Sequence, residues 1–105
     1  MATDWQTELE KLLAAYVSYQ PIDEGVAEMV YVTARHPEYH QRYFGAIEAG
    51  IETARRQDPE LLKLMTRSSI VVYNFDEALE YLEKLRSSYL QQYQAATRAK
   101  QDPTG

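Results

Sequence analysis

The feature that most constrains this chain is a stretch from Asn74 to about Lys100 that contains neither glycine nor proline. Asn74 is a good helix N-cap, and Glu77 stands three residues later, where its carboxylate can reach back to the Asn74 backbone N–H. Apolar and tyrosine side chains then recur at steps of three and four residues, which is the spacing of one helical face. This predicted inner face comprises Phe75, Ala78, Leu82, Leu85, Tyr89, Tyr93 and Ala96.

The predicted helix is long for so small a protein. At a rise of about 1.5 Å per residue it would extend roughly 39 Å. A compact chain of 105 residues has a radius of gyration of only about 13 Å. We therefore expect one end of the helix to overhang the rest of the fold or to contact a partner.

Two helices are predicted in the first third of the chain. Thr3 can cap the first helix, with Gln6 at the capping-box position, and Pro21 ends it. The second helix begins between residues 22 and 24. It is expected to end at His36, because the residue before a proline is biased away from helical geometry.

A third helix is predicted from Pro37, a residue favoured at the first helical position, to Gln57. Gly45 and Gly50 lie inside it, and each costs about 1 kcal/mol relative to alanine. We therefore expect both glycines to mark a close approach of another helix. Asp58–Pro59 then predicts a short fourth helix, with the aspartate as its cap and the proline at its first position.

The stretch Ser68–Tyr73 is the only β-like part of the chain, and it has no second strand with which to pair. We interpret it as a buried extended connector, with a helical conformation as the alternative. The sequence thus predicts an all-α fold, an irregular bundle of about five helices with one long C-terminal helix. Residues 1–100 would form a single domain, and residues 101–105 a frayed tail.

The composition excludes several classes of protein. The absence of cysteine rules out a disulfide scaffold, cysteine-ligated zinc, an iron–sulfur cluster and thiol catalysis. No uninterrupted apolar run in the chain approaches the length of a membrane span. Asp4, Glu8 and Glu10, without an early lysine or arginine, do not fit a signal peptide. We expect a cytoplasmic protein that does not associate with a membrane.

No motif in the chain points to catalysis. His36 and His40 are the only histidines, and neither fits the Glu-x-x-His or His-Glu-x-x-His patterns of metal-binding helices. We therefore predict no metal site, no cofactor and no catalytic residue. Arg55, Arg56, Lys63 and Arg67 form a modest basic cluster, which leaves a small helical enzyme with an anion site as the least favoured of three functions.

The net charge of −5 is unevenly distributed along the chain. Residues 1–34 carry the whole acidic excess, since acids and bases balance in residues 35–105. The excess can be ordinary solubility charge, or an acidic surface that steers a basic partner. Either way, the chain lacks the net basic face that nucleic-acid binding requires.

Nine tyrosines are a surplus for a chain of 105 residues. Several must lie in the core, each with its hydroxyl exposed to solvent or hydrogen-bonded to a partner group. Tyrosine is also over-represented in binding hot spots, because it buries a large area at low entropic cost. Together with the acidic first third, the surplus favours a protein-binding surface over an active site. The candidate partner-binding residues are Glu24, Glu28, Tyr31, Tyr89 and Tyr93.

With Glu24, Glu28 and Tyr31 on its second helix, the chain resembles in overall profile the bacterial immunity proteins that block nuclease toxins. These include immunity proteins of contact-dependent inhibition systems and of colicins. In the helical nuclease-colicin immunity family, an acidic helix and neighbouring tyrosines cover the basic toxin. The adjacent tyrosine pair followed by proline that marks that family is absent here. The resemblance implies an inhibitor that masks a basic protein partner.

The alternative is a structural or regulatory helical module that forms a homodimer. The overhanging end of the long helix would be its interface. Tyr89, Leu90 and Tyr93 would then be the contact residues.

Overall fold

A computed structural model of the protein describes residues 4–101, with side chains as far as residue 98. Over this range the fold is an irregular all-α bundle with a long C-terminal helix and no β-strand, so the predicted fold class is confirmed. The elements, in chain order, are α1 (Trp5–Leu12), a π-helical segment (Leu13–Val17), α2 (Ile22–Arg35), α3 (Pro37–Arg55), α4 (Pro59–Arg67) and α5 (Phe75–Gln101).

The bundle is assembled on α5, because both α2 and α3 pack against it, while α1 joins α3 to α4. Ala78, Leu82, Leu85 and Tyr89 on α5 are fully buried, which confirms the centre of the predicted inner face. Each large apolar side chain buried in this way contributes about 1.5–3 kcal/mol. The other helices and the π-helical segment contribute Leu9, Leu12, Leu13, Val26, Met29, Ile47, Ile51, Leu61, Leu64 and Met65.

The predicted cap of α5 is present with one difference. The Asn74 Oδ1 accepts a hydrogen bond from the Glu77 backbone N–H at 2.9 Å. The Glu77 carboxylate reaches back to the N–H of Tyr73 at 2.8 Å, one residue earlier than the capping box predicts. It therefore ties the preceding connector to the first turn of the helix.

The overhang of α5 is not found along its described side chains. The helix has 27 residues, and its side chains pack against the core as far as Ala96. The bundle is 49 Å in its longest dimension, and the predicted contact of the helix end with a partner stays a prediction. Gln101 is the last residue of α5, within the segment predicted to fray, and residues 102–105 lie outside the described range.

Asp4, rather than Thr3, caps α1 in the described part of the chain; Thr3 itself lies outside that part. The Asp4 carboxylate accepts hydrogen bonds from the Gln6 N–H at 3.1 Å and from the Thr7 hydroxyl at 2.7 Å. The Thr7 hydroxyl is the main cause that lowers the pKa of Asp4. The carboxylate therefore stays ionised at the positive end of the helix dipole.

The breaks between the middle helices follow the sequence closely. His36 has φ −132° and ψ 84°, which ends α2, and Pro37 begins α3 as predicted. α3 ends at Arg55 instead of Gln57, because Gln57 adopts a left-handed φ of 58°. Asp58 then caps α4 by accepting a hydrogen bond from the Glu60 N–H at 3.0 Å, as predicted.

The connector from Ile70 to Tyr73 is not helical, and the alternating burial of its side chains fits an extended chain. Ser69 turns the chain out of α4 with a left-handed φ of 64°. Ile70 is buried, but Val71 is 74% exposed and Tyr73 is 81% exposed. The prediction of a buried connector was therefore wrong for these two residues, because alternate side chains of an extended chain point in opposite directions and only one side meets the bundle.

Two glycines mark close contacts and a third does not. A Cβ atom on Gly50 would lie 2.8 Å from Leu9 Cδ2, which confirms the predicted close approach there. A Cβ atom on Gly25 would collide with the Tyr16 carbonyl oxygen and lie 2.6 Å from Val17 Cγ1. At Gly45 no described atom lies within 4 Å of the added Cβ, so the prediction of a close approach was wrong for that residue.

Alanine at Gly25 and at Gly45 should change stability in opposite directions. In Gly25→Ala the added Cβ would clash with the backbone of Tyr16, and the substitution should lower the free energy of unfolding by about 1–3 kcal/mol. Gly45→Ala is the matched control, since it adds the same methyl group to open space. It should raise the free energy of unfolding by up to about 1 kcal/mol. Denaturant titration measures both, and equal effects of the two substitutions would contradict the packing described here.

Candidate functional site

Several acids of the first third are paired within the fold. The Glu8 carboxylate lies 2.7 Å from the Arg42 guanidinium, which ties α1 to α3 and raises the pKa of Arg42. Glu10 makes a contact of the same length with Arg67 on α4. These carboxylates hold helices together. The acidic excess that the sequence places in residues 1–34 is therefore only partly available to a partner.

The outer face of α2, which we define as Glu24, Glu28 and Tyr31, remains exposed. The two carboxylates make no ion pair with any residue that the structure describes. Tyr31 is 62% exposed. The three side chains lie four and three residues apart and so form one row along the helix. Their row faces outward because Val26, Met29 and Val30 occupy the buried side of α2.

The ring of Tyr31 is held in place by Arg35. The Arg35 guanidinium carbon lies 3.8 Å from the ring centroid, and its Nη1 donates a hydrogen bond to the Tyr31 carbonyl oxygen at 3.1 Å. The cation–π contact with the arginine favours this orientation of the tyrosine ring. The outer face of α2 is thus a partly ordered surface with acidic and aromatic groups.

Tyr89 does not belong to any surface, contrary to its predicted role as a contact residue. It is fully buried, and its hydroxyl lies 2.7 Å from Nδ1 of His40. Burial raises the pKa of Tyr89 to about 12. The Thr33 hydroxyl opposes this shift, although its buried Oγ1 makes no hydrogen bond of good geometry to a described residue. The contact role was wrong because Tyr89 occupies the junction of α3 and α5.

Tyr93 is half-buried and stacks on His40, with ring centroids 4.0 Å apart and an angle of 7° between the planes. Phe44 stacks on the same imidazole from 5.8 Å. The burial of this cluster lowers the pKa of His40. One face of the Tyr93 ring is therefore already covered, which leaves less of this side chain for a second copy of the protein.

A second aromatic contact joins the π-helical segment to α3. The hydroxyl oxygens of Tyr16 and Tyr43 lie 3.1 Å apart, and their rings meet edge to face at 5.8 Å. Burial raises the pKa of Tyr43 above its usual value of 10.0. The hydroxyl pair satisfies two polar atoms that face the interior. Tyr16, Tyr43 and Tyr89 therefore serve the packing of the bundle.

A groove that the sequence does not predict lies beside the connector. Its residues come from the start of α2, the connector and the first turns of α5, so no local pattern brings them together. We call it the connector groove, and it is lined by Ile22, Val71, Val72, Glu77, Glu80, Tyr81 and Lys84. Burial raises the pKa of Tyr81, whose ring forms part of the wall.

The residues considered for metal or anion binding do not converge. His36 lies 3.8 Å from Glu38, whereas His40 faces Tyr89. Within the described residues, no group of three or more potential ligands could hold a metal ion. Arg55 and Arg67 are engaged by different carboxylates, so the three arginines of the predicted basic cluster do not form a shared anion site.

No protein-family model matches the chain, and comparisons with curated proteins and with solved structures find no significant match. In residues 4–101, no helix is both long enough and apolar enough to cross a membrane. An inference about function therefore rests on the surface of the fold. The outer face of α2 and the connector groove are its two candidate binding surfaces.

The His40 cluster predicts a pH dependence of stability. Because burial disfavours the protonated imidazole, the folded state binds a proton less readily than the unfolded chain. The free energy of unfolding should therefore fall as the pH drops below the usual histidine value of 6.5. Denaturant titrations between neutral and mildly acidic pH measure this loss.

The matched variants for that experiment are His40→Gln and His36→Gln. His40→Gln should flatten the pH profile in this window, because glutamine does not titrate. His36 is exposed, and its substitution should leave the profile as it is in the unsubstituted protein. If the His40→Gln profile kept its full slope, the cluster would not be the source of the pH dependence.

Proposed function

We propose that this protein is an inhibitor of the immunity type, which binds a basic protein such as a nuclease toxin and masks it. The observation that carries the proposal is the outer face of α2. It presents two carboxylates without an ion-pair partner among the described residues, beside an exposed tyrosine. This combination offers charge for steering a basic partner and an aromatic anchor for holding it.

The net charge of the chain supports the proposal of a basic partner. At −5 the protein attracts a basic partner over a distance of several ångströms, within the screening length of about 8 Å at physiological salt. The carboxylates of Glu24 and Glu28 add the local part of that field, because no described base neutralises them. Complementary charge of this kind raises the association rate more than the final affinity.

Tyr31 would supply most of the contact area. Its ring is exposed, and the stack with Arg35 limits the freedom that binding would otherwise remove. A tyrosine with few rotamers loses little entropy at an interface. We therefore assign the charge-steering role to the two glutamates and the anchoring role to the tyrosine.

A homodimer through α5 is less well supported. Its three contact residues would be Tyr89, Leu90 and Tyr93, of which the first is fully buried and the third already stacks on His40. A dimer interface would require these side chains to leave the core. No other observation favours the alternative.

Reversal of charge on α2 should slow association with the partner. The first partner to test is a basic protein encoded beside the gene for this chain. Glu24→Lys combined with Glu28→Lys should lower the association rate about tenfold at low salt, and less at high salt. Stopped-flow mixing measures the rate, and circular dichroism checks that the helices remain.

The matched control is Glu52→Lys combined with Glu60→Lys, which changes the net charge equally on α3 and α4. These side chains are exposed but lie on other helices. The control should slow association much less. Equal rates for the two double variants would show that net charge alone matters, and would remove the outer face of α2 from the proposal.

Truncation of the anchor should act on dissociation instead. Tyr31→Ala should raise the dissociation rate about thirtyfold or more, as expected for a hot-spot residue that contributes about 2 kcal/mol or more. Tyr19→Ala is its control, since Tyr19 is 88% exposed but lies outside α2. If Tyr31→Ala left the dissociation rate unchanged, the ring would not be the anchor.

A further inference from the structure

The connector, residues 70–73, belongs to no helix and pairs with no strand in the described part of the chain. Its side chains alternate, with Ile70 buried, Val71 exposed, Val72 partly buried and Tyr73 exposed. Such alternation is the pattern of a strand at the surface of a sheet. The backbone N–H groups of Val71 and Val72 make no hydrogen bond to any described residue. An exposed strand of this kind is a template for a second strand.

Both ends of the connector are held in place. The Ile70 N–H donates a hydrogen bond to the Met65 carbonyl oxygen at 2.9 Å, and the Tyr73 N–H donates to the Glu77 carboxylate at 2.8 Å. The extended shape is therefore imposed by α4 and α5 before any ligand binds. A strand that is already ordered loses less entropy when a partner pairs with it.

The edge that is open to a partner follows from these bonds. In an extended segment, N–H groups two residues apart point to the same edge. Since the Tyr73 N–H points to Glu77, we infer that the Val71 N–H points to the same side. Glu77 lines the connector groove. A second strand in this groove would therefore pair with Val71.

The charges that line the groove favour a basic partner segment. Glu77 and Glu80 line it against a single base, Lys84. A neighbouring depression on α5 shares Glu80 and Lys84, and adds the carboxylates of Asp76 and Glu83. The surface around the connector is thus acidic, with the apolar side chains of Ile22, Val71 and Tyr81 between the charges. It complements a segment in which basic and apolar residues alternate.

We propose that the connector binds an extended, basic segment of a partner protein by adding it as a second strand beside Val71. Backbone hydrogen bonds to Val71 supply the register, and the carboxylates around the groove receive the basic side chains. This surface is separate from the outer face of α2. The proposal does not rest on the function assigned to that face.

The test uses a short capped peptide of alternating lysine and valine, titrated into the full-length protein. Nuclear magnetic resonance should show the Val71 amide shifting downfield and exchanging its hydrogen more slowly, together with shifts at Ile22 and Tyr81. A matching peptide of alternating glutamate and valine should not bind. Absence of binding by the lysine peptide, or shifts that leave the Val71 amide unchanged, would overturn the proposal.

Two methylated peptides test the backbone pairing directly. One carries N-methyl groups on its lysines and the other on its valines, so each blocks the hydrogen bonds of one strand edge. The peptide blocked on the edge that faces Val71 should bind about tenfold more weakly than the other, because its paired hydrogen bond is lost. Equal affinities of the two would overturn strand addition.

A pair of variants tests the protein side. Val71→Pro removes the N–H of an exposed residue that makes no hydrogen bond within the described fold, and should weaken the lysine peptide about tenfold. Val71→Thr keeps the N–H and should bind like the unsubstituted protein. Circular dichroism checks the fold of both. Equal binding by the two folded variants would contradict the proposal, and neither result would bear on the association and dissociation rates of the α2 variants.

Discussion

The fold depends on the burial of one face of α5. Ala78, Leu82, Leu85 and Tyr89 are removed from solvent where α2 and α3 meet this helix. The largest of them carries a hydroxyl, and an unpaired hydroxyl in a core would cost about 1–3 kcal/mol. His40 removes that cost by placing Nδ1 within 2.7 Å of the oxygen. The polar tip of Tyr89 thus sets the position of α3 against α5.

Exposed ion pairs add to the burial that holds α1. This helix is attached through its buried Leu9 and Leu12, and two of its acids form ion pairs with other helices, Glu8 with Arg42 and Glu10 with Arg67. At the start of α2, Asp23 accepts a hydrogen bond from the Ser88 hydroxyl at 2.7 Å. The next turns of α2 have no such neighbour. The outer face of that helix keeps its carboxylates available because nothing in the bundle needs them.

The two candidate surfaces are both acidic. The start of α2 and the first turns of α5 lie together, since Ile22 and Glu80 line the same groove. Acids dominate both elements, while the arginines of α3 and the bases of α4 are engaged in pairs with carboxylates. The two proposed binding surfaces therefore share an acidic side of the protein, where α2 offers side chains and the connector offers backbone groups.

The sequence by itself determined where several of the helices begin and end. The caps Asn74 and Asp58 and the break at His36 could be predicted because a cap or a stop depends on residues within about four positions. The tertiary structure alone decided what each helix face meets. His40 and Tyr89 are separated by 49 positions, and the spacing of Tyr89 within α5 fits a buried residue and a contact residue equally. The extended connector shows the same limit, since β-branched residues favour its conformation but only the packing of α2 and α5 leaves Val71 and Tyr73 in solvent. Exposure is a property of the assembled bundle, because it depends on contacts between segments that lie far apart in the chain.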